Sequence, residues 1–414
     1  IMGNAYIVDA CRTPRGIGKV GKGALAHLHP SYLGSTVLSA LAERNNFNTA
    51  DVDDIIWGTS AQSGKQSGDL GRMAALNAGY DVRSSGVTLD RFCGSGITTV
   101  SLAAAQVMSG MEDLVIAGGT EMMSYHSQVG DPSKPPMIDS GNLHLREMHP
   151  QSQQGVCADA IATLEGIDRE AVDNLALVSQ ARAARAIAEG RFDKSLITVT
   201  NPDGSVALDH EEFPRPETTK EGLAELKTVF SVVRDVPVDE DGTTYGALIQ
   251  RKYPEISEFN HIHHAGNSSG VVDGAAALLL ASESYIERTG MTPRARIVAT
   301  ANMGDCPTLM LNAPVPAAEK VLAKAGLTKD DIDVWEINEA FSVVAERFIR
   351  RLDLDREKVN INGGAMALGH PIGATGSILV GTALDELERQ GGRYALITMC
   401  AAGGMAPAII IERL

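Results

Sequence analysis

Two distant stretches of this 414-residue chain repeat one local pattern, which limits the possible folds more than any other feature. DVDDIIWGTSAQ (51–62) and KDDIDVWEINEAF (329–341) each pass from acidic residues through a short apolar strand containing a tryptophan to a small polar turn. Each is followed by the glycine-rich start of a small-residue helix and then by an apolar strand, DLVIAGG (113–119) or YALITMC (394–400). Because chance poorly explains three landmarks in register, the pattern predicts two copies of one β/α lobe and not a solenoid.

The repeat places a cysteine and a histidine at equivalent positions of the two predicted lobes. Trp57 precedes Cys93 by 36 positions, and Trp335 precedes His370 by 35. The N-terminal end of a helix favours an anion, so a thiol there is expected to ionise more readily. Taken alone, each residue has a structural alternative: an inert buried cysteine or a satisfied histidine. If the lobes meet face to face, thiol and imidazole come together as nucleophilic catalysis requires.

Composition narrows the class of protein. Apolar residues make up 44% and aromatic residues only 4%, with 42 glycines, which favours closely packed α/β layers over an aromatic-rich sandwich. The net charge of −16 argues against nucleic-acid binding. The 5 cysteines form no CxxC pair, which indicates free thiols in a reducing compartment. With no signal-peptide pattern and no membrane-length apolar run, a soluble cytoplasmic protein is expected.

The middle of the chain differs in character from the repeat. Residues 120–260 contain polar and Pro/Gly-rich loops and are predicted to form an inserted loop domain. Within them, DREAVDNLALVSQARAARAIAEG (168–190) predicts an amphipathic helix that ends at a glycine. Thr218 and Glu221 have the spacing of a capping box. Excursions of this kind usually shape a binding site.

Two other motifs carry little functional weight. GIGKVG (16–21) has the GxGxxG spacing of a dinucleotide site, but no clean helix follows the glycines. HIHH (261–264) could suggest a metal, but no cysteine or carboxylate joins it at ligand spacing. The sequence therefore favours a loop cluster over a metal site and predicts no dinucleotide cofactor.

Further candidates for chemistry stand at predicted strand ends, where ligands bind in α/β sheets. Cys400 ends the apolar strand YALITMC and begins a turn of small residues. Asn338 and Glu339 follow the strand that holds the second tryptophan. An amide at that turn could hold a water or an oxyanion, whereas a core cysteine and an asparagine helix cap are the structural alternatives.

Five motifs, in order along nearly the whole chain, resemble the thiolase family. They are DRFCGSG, HAGNSSGVVDGAAALLLAS, NEAF, GGAMALGHPIGATG and the terminal CAAGGM. The resemblance implies an α/β thiolase fold: two pseudo-repeated βαβαβαββ lobes in a five-layered αβαβα arrangement with an inserted loop domain. The implied domains are an N-terminal lobe at 1–119 completed by 261–283, the loop domain at 120–260, and a C-terminal lobe at 284–414.

The resemblance also implies the reaction, an acyl transfer between a cysteine and coenzyme A, with coenzyme A as substrate and with no cofactor and no metal. Cys93 would accept the acyl group, and His370 would be the base that activates the Cys93 thiol. Cys400 would move the proton at the carbon α to the thioester. Asn338, with a bound water and His370, would stabilise the enolate oxygen. The remaining implied groups are the backbone N–H of Cys93 and of Ala402 as a second oxyanion hole, and Ala265, Ser269 and Phe341 along the pantetheine channel.

Departures from the family pattern bear on the acyl group. CAAGGMA has Ala402 and Ala406 where the family usually has glycines, which reduces backbone freedom. Gln153 stands where acetoacetyl-CoA enzymes tend to have a histidine, and residues 231–263 form a longer connection than usual. Both changes leave room for an acyl chain longer than acetyl.

The sequence thus predicts a degradative 3-ketoacyl-CoA thiolase of fatty-acid β-oxidation. An acetyl-CoA acetyltransferase is the close alternative. A ketosynthase-like condensing enzyme would need a second histidine, and Cys400 disfavours it. A non-catalytic acyl-CoA or lipid carrier is disfavoured by the complete set of Cys93, Asn338, His370 and Cys400. The expected partners are coenzyme A thioesters and further copies of the chain, in a homodimer or homotetramer, with no nucleic acid and no membrane.

Overall fold

The computed structural model of the chain describes residues 3–129, 131 and 133–414. Strands and helices alternate along most of it. The strands are β1 Ala5–Arg12, β2 Gly16–Ile17, β3 Asp54–Gly58, β4 Val87–Leu89, β5 Leu114–Met122, β6 Val199–Thr200, β7 Val206–Leu208, β8 Val272–Ser282, β9 Ala295–Gly304, β10 Val334–Ile337, β11 Tyr394–Thr398 and β12 Met405–Arg413. The helices are α1 Pro30–Asn45, α2 Leu70–Asn77, α3 Ser95–Met108, α4 Met123–His126, α5 Leu143–Met148, α6 Gln154–Glu165, α7 Arg169–Ala188, α8 Lys220–Glu225, α9 Phe230–Arg234, α10 Tyr245–Lys252, α11 Glu283–Thr289, α12 Pro314–Ala325, α13 Ser342–Leu352, α14 Ala365–Leu368 and α15 Ile372–Gln390.

One ten-stranded mixed sheet contains both halves of the repeat. Its order is β10-β11-β12-β9-β1-β8-β5-β3-β4, with β2 paired to β8. The halves join where β1 pairs antiparallel with β9, at Tyr6–Arg296 and Ile7–Ala295. In the first half β3 lies between β5 and β4, and in the second half β10 pairs with β11 and bridges through Trp335 to Val359. Both halves therefore have the same strand order.

The helices complete a five-layered arrangement. Helices α3 and α15 pack on each other and contact strands of both half-sheets, so they form the central layer. Helices α1 and α2 cover the outer face of the first half, and α12 packs on the outer face of the second, next to α13. Separate apolar cores fill the spaces between these layers. The predicted α/β fold with two repeated lobes is confirmed; its exact domain boundaries stay a prediction.

The central layer explains why both helices are built from small residues. A methyl group on Gly376 of α15 would lie 2.1 Å from the backbone nitrogen of Ile97 in α3. A methyl group on Gly96 would lie 2.6 Å from the backbone nitrogen of Ser377, whose hydroxyl donates to the Gly96 carbonyl at 2.9 Å. The two helices thus touch backbone to backbone, which side chains at these positions would prevent.

The middle of the chain folds mainly as short helices and loops around one long helix. The amphipathic helix expected at 168–190 is α7, with Asp168 as its N-cap. The expected capping box of Thr218 and Glu221 is wrong: Thr219 is the N-cap of α8 and accepts from the N–H of Gly222, which has no side chain to complete a box. No helix in the described part of the chain is long and apolar enough to cross a membrane.

The motifs GIGKVG (16–21) and HIHH (261–264) have structural roles. Residues 16 and 17 of GIGKVG form β2 and pair with β8, so these glycines do not lie between a strand and a helix. His261 and His263 each place Nδ1 2.7 Å from an oxygen of Asp159, and His264 places Nε2 2.8 Å from Asp173. These contacts tie the segment before β8 to helices α6 and α7.

Candidate active site

Cys93 and His370 occupy matching positions at the starts of the two central helices. Each lies two residues before the first residue of its helix, Ser95 of α3 or Ile372 of α15. The starts meet at the end of β3, where a methyl group on Gly58 would lie 2.6 Å from the carbonyl oxygen of Gly373 and 3.1 Å from Ser95 Cβ. The repeat therefore brings the beginnings of the two helices to one place.

The thiol of Cys93 is buried and carries a raised pKa. Burial is the largest cause, and the nearby Cys400 and Glu121 raise the pKa of Cys93 further. The expectation of a readily ionised thiol is therefore wrong for this structure, because burial disfavours the thiolate. A thiol in this state needs a base to become a nucleophile.

His370 meets that need as a neutral imidazole. Its Nδ1 lies 2.5 Å from Oγ1 of Thr375, while its buried Nε2 has no hydrogen-bond partner in the described part of the protein. Burial lowers the pKa of His370 to about 4; Glu121 opposes this shift, and Arg15 adds to it. The ring is thus uncharged near neutral pH and can accept a proton.

Cys400 and Asn338 follow neighbouring parallel strands, β11 and β10. The backbone N–H of Asn338 donates to Thr398 at 3.3 Å, and Cys400 stands two residues beyond Thr398. Both atoms of the Asn338 amide are buried without a hydrogen-bond partner among the described residues, so this side chain does not cap a helix. Burial raises the pKa of the Cys400 thiol to about 12. Unpaired buried polar groups of this kind mark a site prepared for a ligand.

The turn after Cys400 explains how alanine is tolerated in the terminal motif. Ala401 and Met405 exchange both backbone hydrogen bonds, at 2.7 and 3.2 Å, and close the turn. The left-handed backbone falls on Gly403 and Gly404, while Ala402 is not among the positive-φ residues. Alanine therefore fits at 402, and its N–H stays in place beside Cys400. A methyl group on Gly94 would lie 3.4 Å from Ala401 Cβ, which links this turn to the Cys93 loop.

A cleft of about 620 Å³ lies next to these groups and contains two of the three predicted channel residues. Ala265 and Ser269 line it, together with Gly270. The carbonyl of Gly270 accepts from the backbone N–H of His370 at 2.9 Å, so the cleft wall is bonded directly to the histidine. Phe341 is buried between the rings of Phe230 and His263, with centroids 5.7 Å away in each case.

Three residues near His370 were not predicted from the sequence. Thr375 stands five positions after the histidine in HPIGAT, where the first helical turn could have indicated a contact. Glu121 is the penultimate residue of the apolar strand β5, and its carboxylate accepts from the backbone N–H of Gly373 at 3.0 Å. Arg15 is buried and donates to the Gly369 carbonyl at 3.3 Å, a contact that no local pattern signals.

The arrangement can therefore carry out nucleophilic acyl chemistry. It combines a thiol, a neutral base, a second thiol and an unpaired amide, beside a cleft that can hold an elongated ligand. No group of histidine, cysteine, aspartate and glutamate side chains in the described residues has the arrangement of a metal site.

Comparisons with known proteins agree with this chemistry. The thiolase N-terminal domain model matches residues 5–236, and the thiolase C-terminal domain model matches residues 291–413. The chain is 40% identical to the beta-ketoadipyl-CoA thiolase of Acinetobacter baylyi over 100% of both proteins. It is 39% identical to the steroid 3-ketoacyl-CoA thiolase FadA6 of Mycobacterium tuberculosis, over 100% of this chain and 95% of the relative.

Solved structures extend the similarity to the fold. Human mitochondrial 3-ketoacyl-CoA thiolase superposes with a TM-score of 0.83 at 32% identity, covering 100% of this chain and 99% of that one. Thiolases take coenzyme A as a substrate and need no further cofactor. This chain thus belongs to the thiolase family and is an acyltransferase that cleaves 3-ketoacyl-CoA.

Proposed function

We propose that Cys93, His370, Cys400 and Asn338 carry out this cleavage. The supporting observation is that His370 Nε2 and both atoms of the Asn338 amide are buried and have no hydrogen-bond partner among the residues that the structure describes. His370 takes the proton of Cys93 through Nε2. The resulting thiolate attacks the 3-keto carbonyl, forming a carbon–sulfur bond and a tetrahedral oxyanion.

Collapse of that oxyanion breaks the bond between the α and β carbons. Its electron pair goes to the α carbon of the departing acetyl-CoA as an enolate, which takes a proton from Cys400. Cys400, now a thiolate, takes the thiol proton of coenzyme A, whose sulfur attacks the acyl-cysteine. The carbon–sulfur bond to Cys93 breaks, the shortened acyl-CoA leaves, and the Cys93 sulfur takes back the proton held by His370. The N–H groups of Cys93 and Ala402 hold one oxyanion, and Asn338 with a water and His370 holds the enolate oxygen. Such donors are worth several kcal/mol in a buried site, on the order of 3 to 4 each.

Coenzyme A is proposed to lie in the cleft of Ala265 and Ser269, with Phe341 supporting its wall. The isolated bridge between Ser268 and Phe341 and the hydrogen bond from Ser269 N–H to Ala340 at 2.9 Å support this placement. The cleft runs to the Gly270 carbonyl that holds His370. A slender pantetheine arm there would bring its sulfur to the catalytic groups.

The acyl group is proposed to be longer than acetyl. A 3-ketoadipyl or a steroid-derived chain is the proposed class, because relatives of this chain are named as thiolases of those substrates. The long segment 231–263 supports this reading, because its Tyr253 hydroxyl lies 3.2 Å from Cys306 Sγ. A methyl group on Gly404 would lie 2.8 Å from the Cys306 carbonyl. The extra segment thus packs against the Cys306 loop, behind the turn that follows Cys400.

The assembly is proposed to be a homodimer or homotetramer, located in the cytoplasm and serving β-oxidation. Strand β4 is at the edge of the sheet, and exposed apolar side chains surround it, among them Val82, Val87 and Met73. Exposed edges and apolar patches are ordinarily covered by another chain. The five free cysteines support a reducing compartment.

A thiolysis assay with a ladder of 3-ketoacyl-CoA substrates tests the proposal. We expect cleavage by free coenzyme A that is lost in Cys93→Ala, while acyl-CoA binding persists. Faster turnover of 3-ketoadipyl-CoA or a steroid thioester than of acetoacetyl-CoA is expected. A preference for acetoacetyl-CoA would favour an acetyl-CoA acetyltransferase, and unchanged turnover in Cys93→Ala would remove the proposed nucleophile.

A further inference from the structure

A buried arginine lies directly against the residue that precedes His370. The side chain of Arg15 is 3% exposed, and its Nη1 donates to the carbonyl of Gly369 at 3.3 Å. The same side chain lies beside β8, because a methyl group on Gly274 would be 3.5 Å from Arg15 Cγ and 3.1 Å from Pro371 Cγ. The guanidinium group thus contacts the peptide on one side of His370, and its stem lies beside the proline on the other.

The counter-charge of Arg15 comes from the inserted segment. Oε2 of Glu211 accepts from the Arg15 backbone N–H at 3.1 Å and lies 3.6 Å from Arg15 Nε. Oε1 of the same carboxylate pairs with Nη1 of Arg12. Burial opposes ionisation of Glu211, but the charges of Arg12 and Arg15 outweigh it and hold the pKa of Glu211 below its ordinary value. One buried carboxylate thus balances the charge of both arginines, and removing it would leave two buried cations uncompensated, which is costly.

The segment that carries Glu211 also borders the coenzyme A cleft. Phe213 and Arg215 line the cleft. A methyl group on Gly270 would lie 2.3 Å from the Phe213 ring, and the Gly270 carbonyl accepts from the His370 N–H at 2.9 Å. Residues 211–215 therefore contact two groups that hold His370 in place. Glu211 contacts Arg15, and Phe213 contacts Gly270.

Building on the proposed role of His370 as the base, we propose that Arg15, anchored by Glu211, is a positioning residue for His370. It fixes the peptide that precedes the imidazole, and its positive charge adds to the effect of burial in disfavouring the imidazolium form. The charged groups that act on His370 are Glu121 from β5 and Arg15 from the segment after β1, and they act in opposite directions. Removing only Arg15 leaves burial alone to oppose Glu121 and raises the pKa of His370, which makes the imidazolium form more accessible.

Three variants test this inference through the pH dependence of thiolysis. In Arg15→Gln, we expect kcat to fall about 10-fold and the acid limb of the pH profile to move upward by about 0.5 to 1 pH unit, with KM for coenzyme A within about twofold of wild type. Arg15→Lys keeps the positive charge but loses the planar guanidinium group with its several donors. In this variant we expect a smaller fall in kcat and no shift of the acid limb of the pH profile.

Arg12→Gln is the matched control, because Arg12 shares Glu211 but is not among the charges that act on His370. We expect it to lower the unfolding temperature while leaving the acid limb in place. The inference is overturned if the limb of Arg15→Gln superimposes on that of wild type, or if Arg12→Gln shifts the limb equally. If Arg15→Gln does not fold, Arg15→Lys decides, and a wild-type kcat in that variant overturns the inference.

Failure of the proposed function would look different. It would show as a His370→Asn variant that cleaves 3-ketoacyl-CoA at the wild-type rate. An inactive His370→Asn together with a wild-type profile in Arg15→Gln would reject only the positioning role.

Discussion

His370 Nδ1 and Thr375 Oγ1 lie 2.5 Å apart, and this contact determines which imidazole nitrogen is free. The Thr375 hydroxyl donates to the Pro371 carbonyl at 3.1 Å, so it accepts from Nδ1–H of the histidine. The proton of the neutral ring is thereby held on Nδ1. Nε2 keeps its lone pair for the thiol of Cys93. Residue 375 thus orients the base in the way that a third residue orients the histidine of a catalytic triad.

Thr375→Val removes the hydroxyl with little change in shape. We expect the rate of Cys93 acylation to fall about 10- to 100-fold, because both imidazole tautomers become available. Thr375→Ser is the matched control and should retain most of the rate. Single-turnover acylation followed by mass spectrometry measures it, and equal rates in the valine variant and wild type would contradict the orienting role.

The buried His370 also makes stability depend on pH. Its folded pKa of about 4 is below the ordinary value of 6.5, so folding favours the neutral ring. The resulting stabilisation is complete above pH 6.5 and is lost as the pH falls from 6.5 through 4. Between pH 7.5 and 4.5 we expect wild type to lose about 2 to 3 kcal/mol more unfolding free energy than His370→Asn. Urea unfolding at the two pH values measures the difference; parallel losses in both proteins would show that the histidine is not the source.

Cys400→Ala should separate acyl transfer to the enzyme from carbon–carbon bond chemistry. Acetyl-CoA should still acetylate Cys93, because His370 remains as the base, while thiolysis of 3-ketoacyl-CoA should fall by at least about 100-fold. Mass spectrometry of the intact protein detects the trapped acetyl group. Cys11→Ala is a suitable control, since Cys11 is buried elsewhere and its thiol donates to the Val37 carbonyl. A Cys400→Ala protein without a trapped acetyl group would assign Cys400 to acylation itself.

The backbone contact between α3 and α15 predicts a steric limit. Gly376→Ala would place its methyl group 2.1 Å from Ile97 N, and we expect a loss of at least about 3 kcal/mol of unfolding free energy or failure to fold. Gly304→Ala is the matched control, because a methyl group there meets nothing within 4 Å. Its unfolding free energy should stay within about 0.5 kcal/mol of wild type. Similar denaturation midpoints in the two variants would mean that the helices separate easily.

Much of the fold could be predicted because the sequence contains an internal repeat, so each lobe supports the interpretation of the other. The repeated tryptophan strands and glycine-rich helix starts pointed to two lobes, and they placed Cys93 and His370 two residues before α3 and α15. Periodicity and a terminal glycine were enough to find α7. These are local signals, in which spacing along the chain translates directly into position in space.

The electrostatics of the site could not be predicted in the same way. The helix start suggested an acidic Cys93 thiol, but burial by both lobes reverses the direction. Arg15 and Glu211 are 196 positions apart, and only the folded chain shows that they pair. Such contacts depend on tertiary packing, for which neither residue has a sequence signature.

The contact between Gly96 and Gly376 also limits how the two halves of this chain can diverge. Because the backbones meet directly at these two glycines, a shift in either helix axis has to be matched in the other half. Chimeras that join one half of this protein to the opposite half of a distant relative should therefore be active only when α3 and α15 come from the same parent.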